Sequence, residues 1–245
     1  MALFYAALIG LWQLAFYMEL KPHYLLPGPK DVFDSLRTNI ENSVLPDALK
    51  ATLQRLAVGY VIAFGIGMVI GIANGIWRWA DETVGSLVLG LQSLPSITWQ
   101  PLAIIWFHLS ERAILFVVVM GSIFAISISA RDGVRNIPAL QKRAAQTFGA
   151  RRLQLIRYVI IPAMPSLVQG LKLGWSFAWR SLMAAELIFH TIGLGNVLTV
   201  ARDYSDMSMV IAVMLMIVAV GVTVDRVIFG TVETWVRERW GLAQV

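Results

Sequence analysis

Residues 52–77 read TLQRLAVGYVIAFGIGMVIGIANGIW, an apolar run broken by one charge, Arg55. A helix needs roughly 20 mostly apolar residues to cross the hydrocarbon of a bilayer. Five further segments have the same character: about 2–18, 84–107 (with Pro95 and Pro101 inside it), 112–130, 165–190 and 207–234. Charged residues make up 14% of the chain against roughly 25% in soluble domains, too few to solvate a core of this size. The sequence therefore predicts an all-α integral membrane protein, one domain over residues 1–245 with six transmembrane helices. The opening segment lacks a basic n-region and a small-residue cleavage site, so it reads as a span that stays, not as a signal peptide.

Lysine and arginine set the orientation. The stretch 131–164 carries Arg131, Arg135, Lys142, Arg143, Arg151, Arg152 and Arg157 against a single acid, Asp132, and is expected in the cytoplasm. Six spans then put both termini inside, in agreement with Arg237 and Arg239 in the tail and Arg78 in a short loop. The net charge of +5 reflects these basic loops rather than nucleic-acid binding. The loop 19–51 falls outside, where Lys21, Lys30, Arg37 and Lys50 are balanced by Glu19, Asp31, Asp34, Glu41 and Asp47. Within it, about residues 28–45, Pro27 and Pro29 make a turn and Val32, Leu36 and Ile40 recur every fourth position. That pattern predicts a short amphipathic helix, lying on the outer membrane surface or folded into the loop. With no cysteine, disulfides and thiolate metal sites are excluded.

Gly59, Ala63, Gly67, Gly71 and Gly75 form a stripe of small residues at every fourth position of the second span. In lipid such a stripe lets another helix approach closely, which predicts tight packing in a bundle or a dimer.

The stretch KRAAQTFGARRLQLIRYVIIPAMP, residues 142–165, is basic and helix-friendly, unlike its surroundings. Asn136 suits an N-cap, Pro138 the first turn, and Gly149 a left-handed C-cap. A second helical run, ARRLQLIRYVII, is expected to stop at Pro162. Ala144, Ala145 and Phe148 make a compact apolar patch flanked by charge. Such a patch fits either a groove on another protein or a hairpin packed on its own bundle.

The spacing resembles the cytoplasmic motif of permeases in binding-protein-dependent ABC importers: Glu-Ala-Ala, three residues, Gly, nine residues, Ile, one residue, Leu-Pro. Here the register reads Arg143-Ala144-Ala145, Gly149, Val159, Ile161-Pro162, with Arg143 in place of the usual Glu. LPGPKDV, LQSLPSITWQPLAIIWFHLSE (residues 91–111), WSFAWRSLMAAELI and GLGNVLTVARDYSD resemble the nitrate, sulfonate and taurine branch, so the resemblance covers nearly the whole chain. It implies a type I importer permease, a six-helix bundle with a cytoplasmic coupling helix within about 131–164. It further implies a homodimer in a bacterial inner membrane, with two copies of a separate ABC ATPase and an extracytoplasmic substrate-binding protein. Gln141, Arg143, Ala144, Ala145, Thr147, Phe148 and Gly149 would meet the ATPase. ATP and Mg would sit on that subunit, because no Gly-x-x-x-x-Gly-Lys-Ser/Thr occurs here to cradle phosphates.

Ionisable groups inside spans are costly and are functional candidates. Arg180 and Glu186 stand six apart in the fifth span, on different faces. Arg180 either attracts an anion or is spent on an internal salt bridge or on backbone carbonyls. Glu186 reads as a structural bridge between helices, with His190 one turn on as a hydrogen-bond partner. Lys172, Asp225 and Arg226 are expected to snorkel to the interface. Gln100, with Ser93, Ser96, Thr98 and Trp99, either walls a passage or hydrogen-bonds neighbouring helices. Trp175 and Trp179 form an aromatic face read as packing. The pathway candidates are thus Ser96, Trp99, Gln100, Trp179, Arg180 and Glu186. The outer GLGN turn, residues 193–196, is a family-level candidate for a gate or docking loop.

Two other functions compete with this reading. A membrane enzyme would need a nucleophile–base pair or a metal cluster, but His23, His108 and His190 are scattered and neither His-Glu-x-x-His nor Gly-x-Ser-x-Gly occurs. An ATPase-independent channel would not need the coupling motif. The expectation is a non-catalytic, cofactor-free transmembrane subunit carrying a small oxyanion or sulfonate of nitrate, taurine or bicarbonate type.

Overall fold

A computed structural model describes residues 2–136 and 152–239, and among these every regular element is helical. The helices are α1 (Ala2–Tyr17), α2 (Pro29–Glu41), α3 (Val44–Ile76), α4 (Arg78–Ala80), α5 (Ser86–Gln92), α6 (Gln100–Phe107), α7 (Glu111–Arg135), α8 (Arg152–Glu186), α9 (Leu194–Asp203), α10 (Met207–Thr223) and α11 (Gly230–Arg239). Segments of π-helix cover Asp81–Gly85 and Val224–Phe229. The chain divides into two compact units, residues 1–54 with 186–220, and residues 55–185 with 221–245.

Among the described residues three helical stretches are long and apolar enough to cross a membrane: Val44–Ile76, Glu111–Arg135 and Met207–Val236. The first apolar segment is a shorter helix, 16 residues in α1. Large apolar side chains lie open along the outer faces, among them Val61 and Val69 on α3, Ile105 on α6 and Val218 on α10. In water so much exposed apolar surface would drive association, whereas against lipid it is the surface a spanning helix needs.

In the larger unit α7 is the hub, with Ala113, Ile114, Val117 and Val118 fully buried. The small-residue stripe of α3 is the seat for it. A Cβ on Gly59 would come within 2.7 Å of Val118, one on Gly67 within 2.9 Å of the Ile123 carbonyl, and one on Gly75 within 2.6 Å of Val134. Gly71 lies equally close to Ser127 and Ala130. The stripe therefore serves packing within one chain. On its other side α7 meets α8 in the same way, with Gly121 against Ser181, Gly170 against Ser129 and Gly174 against Ile126. Tyr60 ties α3 to α8 by donating to the Leu171 carbonyl at 2.7 Å.

Two prolines break the third apolar segment. Pro95 takes an extended backbone (φ −56, ψ 138), which ends the turn after α5 and opens a 3-10 turn over Ser96–Trp99. Pro101 sits in the first turn of α6, where its missing N–H costs nothing. The expectation at Pro162 is overturned: α8 runs unbroken through Pro162 and Pro165 to Glu186. Each proline forfeits an intrahelical hydrogen bond, a loss that helices at membrane depth absorb when neighbouring groups re-satisfy the carbonyl. Asn136 serves as the C-cap of α7, its N–H bonded to the Asp132 carbonyl at 2.9 Å.

In the smaller unit α2 starts as its sequence predicts, with Pro29 in the first turn and the Asp31 carboxylate accepting the Gly28 N–H at 2.9 Å. Its apolar stripe is buried unequally. Val32 is buried, Leu36 half-buried and Ile40 exposed, and in the preceding turn Trp12 donates to the Pro27 carbonyl at 3.1 Å.

Candidate translocation site

Arg180 owes its position to its neighbours on α8. Ala178, Trp179, Ser181 and Leu182 are buried, with Ser181 pressed against Gly121. The face that remains for Arg180 is open. Its guanidinium carbon stands 6.0 Å from the centre of the Phe177 ring. Among the described residues it makes no hydrogen bond or ion pair.

Arg180 borders two cavities. One, of about 270 Å³, is lined by Gln92, Ser93, Leu94, Pro95 and Ser96 from the broken segment, Met120, Gly121, Phe124 and Ala125 from α7, and Phe177. The break at Pro95 falls within this wall. The other, of about 360 Å³, is lined by Trp175, Ser176, Trp179, Gly221, Val222, Asp225 and Arg226. A guanidinium offers planar paired donors that match a carboxylate or another oxyanion. A serine-flanked cavity around it can hold a small anion and strip part of its hydration.

The other pathway candidates divide. Ser96 shares the first cavity with Arg180, and Trp179 lines the second. Trp175 and Trp179 stack with ring centres 6.3 Å apart and planes 11° from parallel. Trp99 packs edge-on against Phe116 and tilted against Phe124. Gln100 is 2% exposed and donates to the Ala184 carbonyl at 2.7 Å, so it acts as a helix-packing bond. Ser93 and Thr98 hydrogen-bond carbonyls of their own turns, Gly90 and Pro95.

Glu186 is fully buried, in the smaller unit. Thr52 Oγ1 lies 3.0 and 2.9 Å from its two carboxylate oxygens, and the Gly195 N–H donates to it at 3.1 Å. The Thr52 hydroxyl in turn accepts the Leu194 N–H at 3.0 Å. A Cβ on Gly193 or Gly195 would fall 2.5 Å from Glu186 atoms, which is why this turn is built of glycine. Because α8 ends at Glu186, His190 lies beyond the helix and is exposed rather than one turn on.

Several ion pairs were not visible in the sequence. Lys172 pairs with Asp225 at 3.2 Å. Arg55 meets Glu111 through two contacts, 2.5 and 2.7 Å. Asp81 binds Arg131 Nε and, at 2.7 Å, Arg135 Nη1. Only spacing within the last pair gave a signal, since Arg131 and Arg135 share one helix face. The expected ATPase contacts, Gln141, Arg143, Ala144, Ala145, Thr147, Phe148 and Gly149, lie outside the described residues.

Residues 59–232 match the family described as binding-protein-dependent transport system inner membrane component. A putative ABC transporter permease of Methanocaldococcus jannaschii is 32% identical over 189 residues, covering 76% of this chain and 68% of that protein. The taurine transport system permease protein TauC of Escherichia coli is 29% identical over 84% of this chain and 78% of its own length. The bicarbonate transport system permease protein CmpB of Synechococcus elongatus is 28% identical over 88% and 80%. The chain thus belongs to the family of inner membrane components of binding-protein-dependent transport systems, and is a non-catalytic permease subunit of an ABC importer.

Proposed function

We propose that this permease carries a small oxyanion or sulfonate, and that Arg180 is the group in the pathway that meets it. The observation that carries this reading is a guanidinium without an ionic partner among the described residues, bordering two cavities. Relatives named for taurine, aliphatic sulfonates and bicarbonate support the same class.

In this reading two copies of the chain form the pathway in the inner membrane, with both termini in the cytoplasm. Two copies of a separate ATPase bind ATP and Mg and grip residues 141–149, where Arg143 meets an acidic partner group. A substrate-binding protein docks on the opposite face. ATP and the loaded binding protein each favour one state of the bundle, and only that difference in affinity can drive the alternation. Ser96 and Trp179 flank Arg180 in the two cavities, Trp99 and Gln100 hold the surrounding helices in place, and Glu186 holds the 193–195 turn of its own unit.

The test is uptake by proteoliposomes containing the permease, its ATPase and its binding protein, with taurine, an alkanesulfonate, bicarbonate and nitrate as separate solutes. One of these is taken up in an ATP-dependent manner, and Arg180→Gln lowers the rate by about 10- to 100-fold, the cost of losing a charged hydrogen-bond partner. Arg180→Lys, which keeps the charge without the planar fork, recovers part of it. Unchanged uptake in Arg180→Gln would refute the role of this residue.

A further inference from the structure

α7 is the most enclosed of the candidate spans, 61% buried against 28% and 17% for the other two. It ends at Arg135, and the coupling-motif segment begins eight residues later at Arg143. The last turn of α7 is therefore one of the two places where that segment joins the described helices, the start of α8 being the other. The last turn of a helix ordinarily frays, because its carbonyls lack intrahelical partners.

This last turn is tied. Arg131 and Arg135, one turn apart, both converge on the carboxylate of Asp81, whose side chain is 11% exposed against 19% for Arg131 and 40% for Arg135. Asp81 belongs to a different segment, opening the π-helical stretch Asp81–Gly85. The wide turn stacks Gly85 against Asp81: a Cβ at Gly85 would sit 2.8 Å from Asp81 Oδ1. Directly after it, α5 leads to Ser93, Pro95 and Ser96, the wall of the cavity that Arg180 borders. Next to Asp81 in sequence, Glu82 pairs with Arg78 at 2.7 Å on an open surface, 60% and 88% exposed, and ties nothing to α7.

We propose that Asp81 is a positioning residue for energy coupling: by holding Arg131 and Arg135 it joins the root of the ATPase-engaging segment to the α5 wall of the cavity. Its loss uncouples ATP hydrolysis from transport. This rests on the importer reading above and adds to it a route from the ATPase to the solute cavity. The contiguity of the parts is a structural argument, and coupling itself must be measured.

The experiment is the ratio of solute taken up to ATP hydrolysed, in proteoliposomes holding the complete complex. Asp81→Asn keeps the complex assembled, as judged by co-purification of the ATPase, and lowers the ratio by about tenfold, within the usual range of coupling between sites. Asp81→Glu restores most of the ratio, and Glu82→Gln leaves it unchanged. A merely structural Asp81 would reduce the amount of complex and leave the ratio alone, and an unchanged ratio in Asp81→Asn overturns the inference. Should Asp81→Asn fail to assemble, Arg135→Gln decides: a lowered ratio supports the inference and an unchanged one overturns it. If the wild-type complex shows no ATP-dependent uptake of any solute, the importer reading fails and this inference with it. Normal wild-type uptake with an unchanged ratio in the variants removes the Asp81 link alone.

Discussion

Glu186 and Asp81 are both acids enclosed in an apolar chain, and the protein satisfies them in opposite ways. Glu186 is sealed, and its partners include a threonine hydroxyl and a backbone N–H. Asp81 sits near a surface and meets two guanidinium groups. Neutral donors of fixed geometry hold a carboxylate in one place, and a displacement of an ångström breaks the hydrogen bond. Long arginines can follow a moving partner and keep the attraction. The Glu186 cluster is built as a rivet for the 193–195 turn, and the Asp81 cluster as a tether between segments.

The largest effect is expected at the rivet. Glu186→Ala leaves Thr52 and the Gly195 N–H without their acceptor, and costs about 3–5 kcal/mol, enough to lose most folded protein. Thermal unfolding in mild detergent measures it, and a near-neutral Glu186→Ala would mean the cluster is not a rivet. Gly195→Ala attacks the same cluster by crowding, and about 1–3 kcal/mol is expected from overpacking.

Next comes the helix seam. Gly71→Leu forces α3 away from Ser127 and Ala130 and costs at least as much as ordinary overpacking, about 1–3 kcal/mol. The same substitution at Gly65, where a side chain would meet open space, is near neutral in the same unfolding assay and serves as its control. Equal losses at both positions would show that the stripe is not the packing surface.

The smallest effect belongs to Lys172 and Asp225, 36% and 40% exposed. A double-mutant cycle with Lys172→Gln and Asp225→Asn is expected to give a coupling of about 1 kcal/mol or less, as partly exposed pairs do. A larger value would place this pair with the buried clusters.

Much of this architecture is legible in the sequence because membrane spans are a property of local composition. The apolar runs, the turn before α2 and the four-residue stripe of α3 each need only a window of neighbouring residues. Proline is ambiguous at that range. Pro95 breaks its segment while Pro162 and Pro165 do not, so a proline alone does not tell a break from a continuing helix. Arg180 is legible as a charge in a span, but the cavity it borders beside the broken segment is a tertiary matter. Thr52 stands 134 residues from Glu186 and Arg131 stands 50 from Asp81, and nothing in a single sequence pairs them. Gln100 shows the limit most plainly: its polarity at mid-span suits a passage wall as well as packing, and its buried bond to the Ala184 carbonyl, 84 residues away, is written nowhere in the local sequence.

The central claim is that this chain moves solute only when a separate ATPase works on it. The most direct measurement compares solute uptake by proteoliposomes carrying the full complex with active ATPase and with a hydrolysis-dead ATPase. Uptake against a gradient with the active enzyme, and none with the dead one, is the predicted result. Solute flux down its gradient through the permease alone, indifferent to ATP, would contradict the account and make the chain a channel.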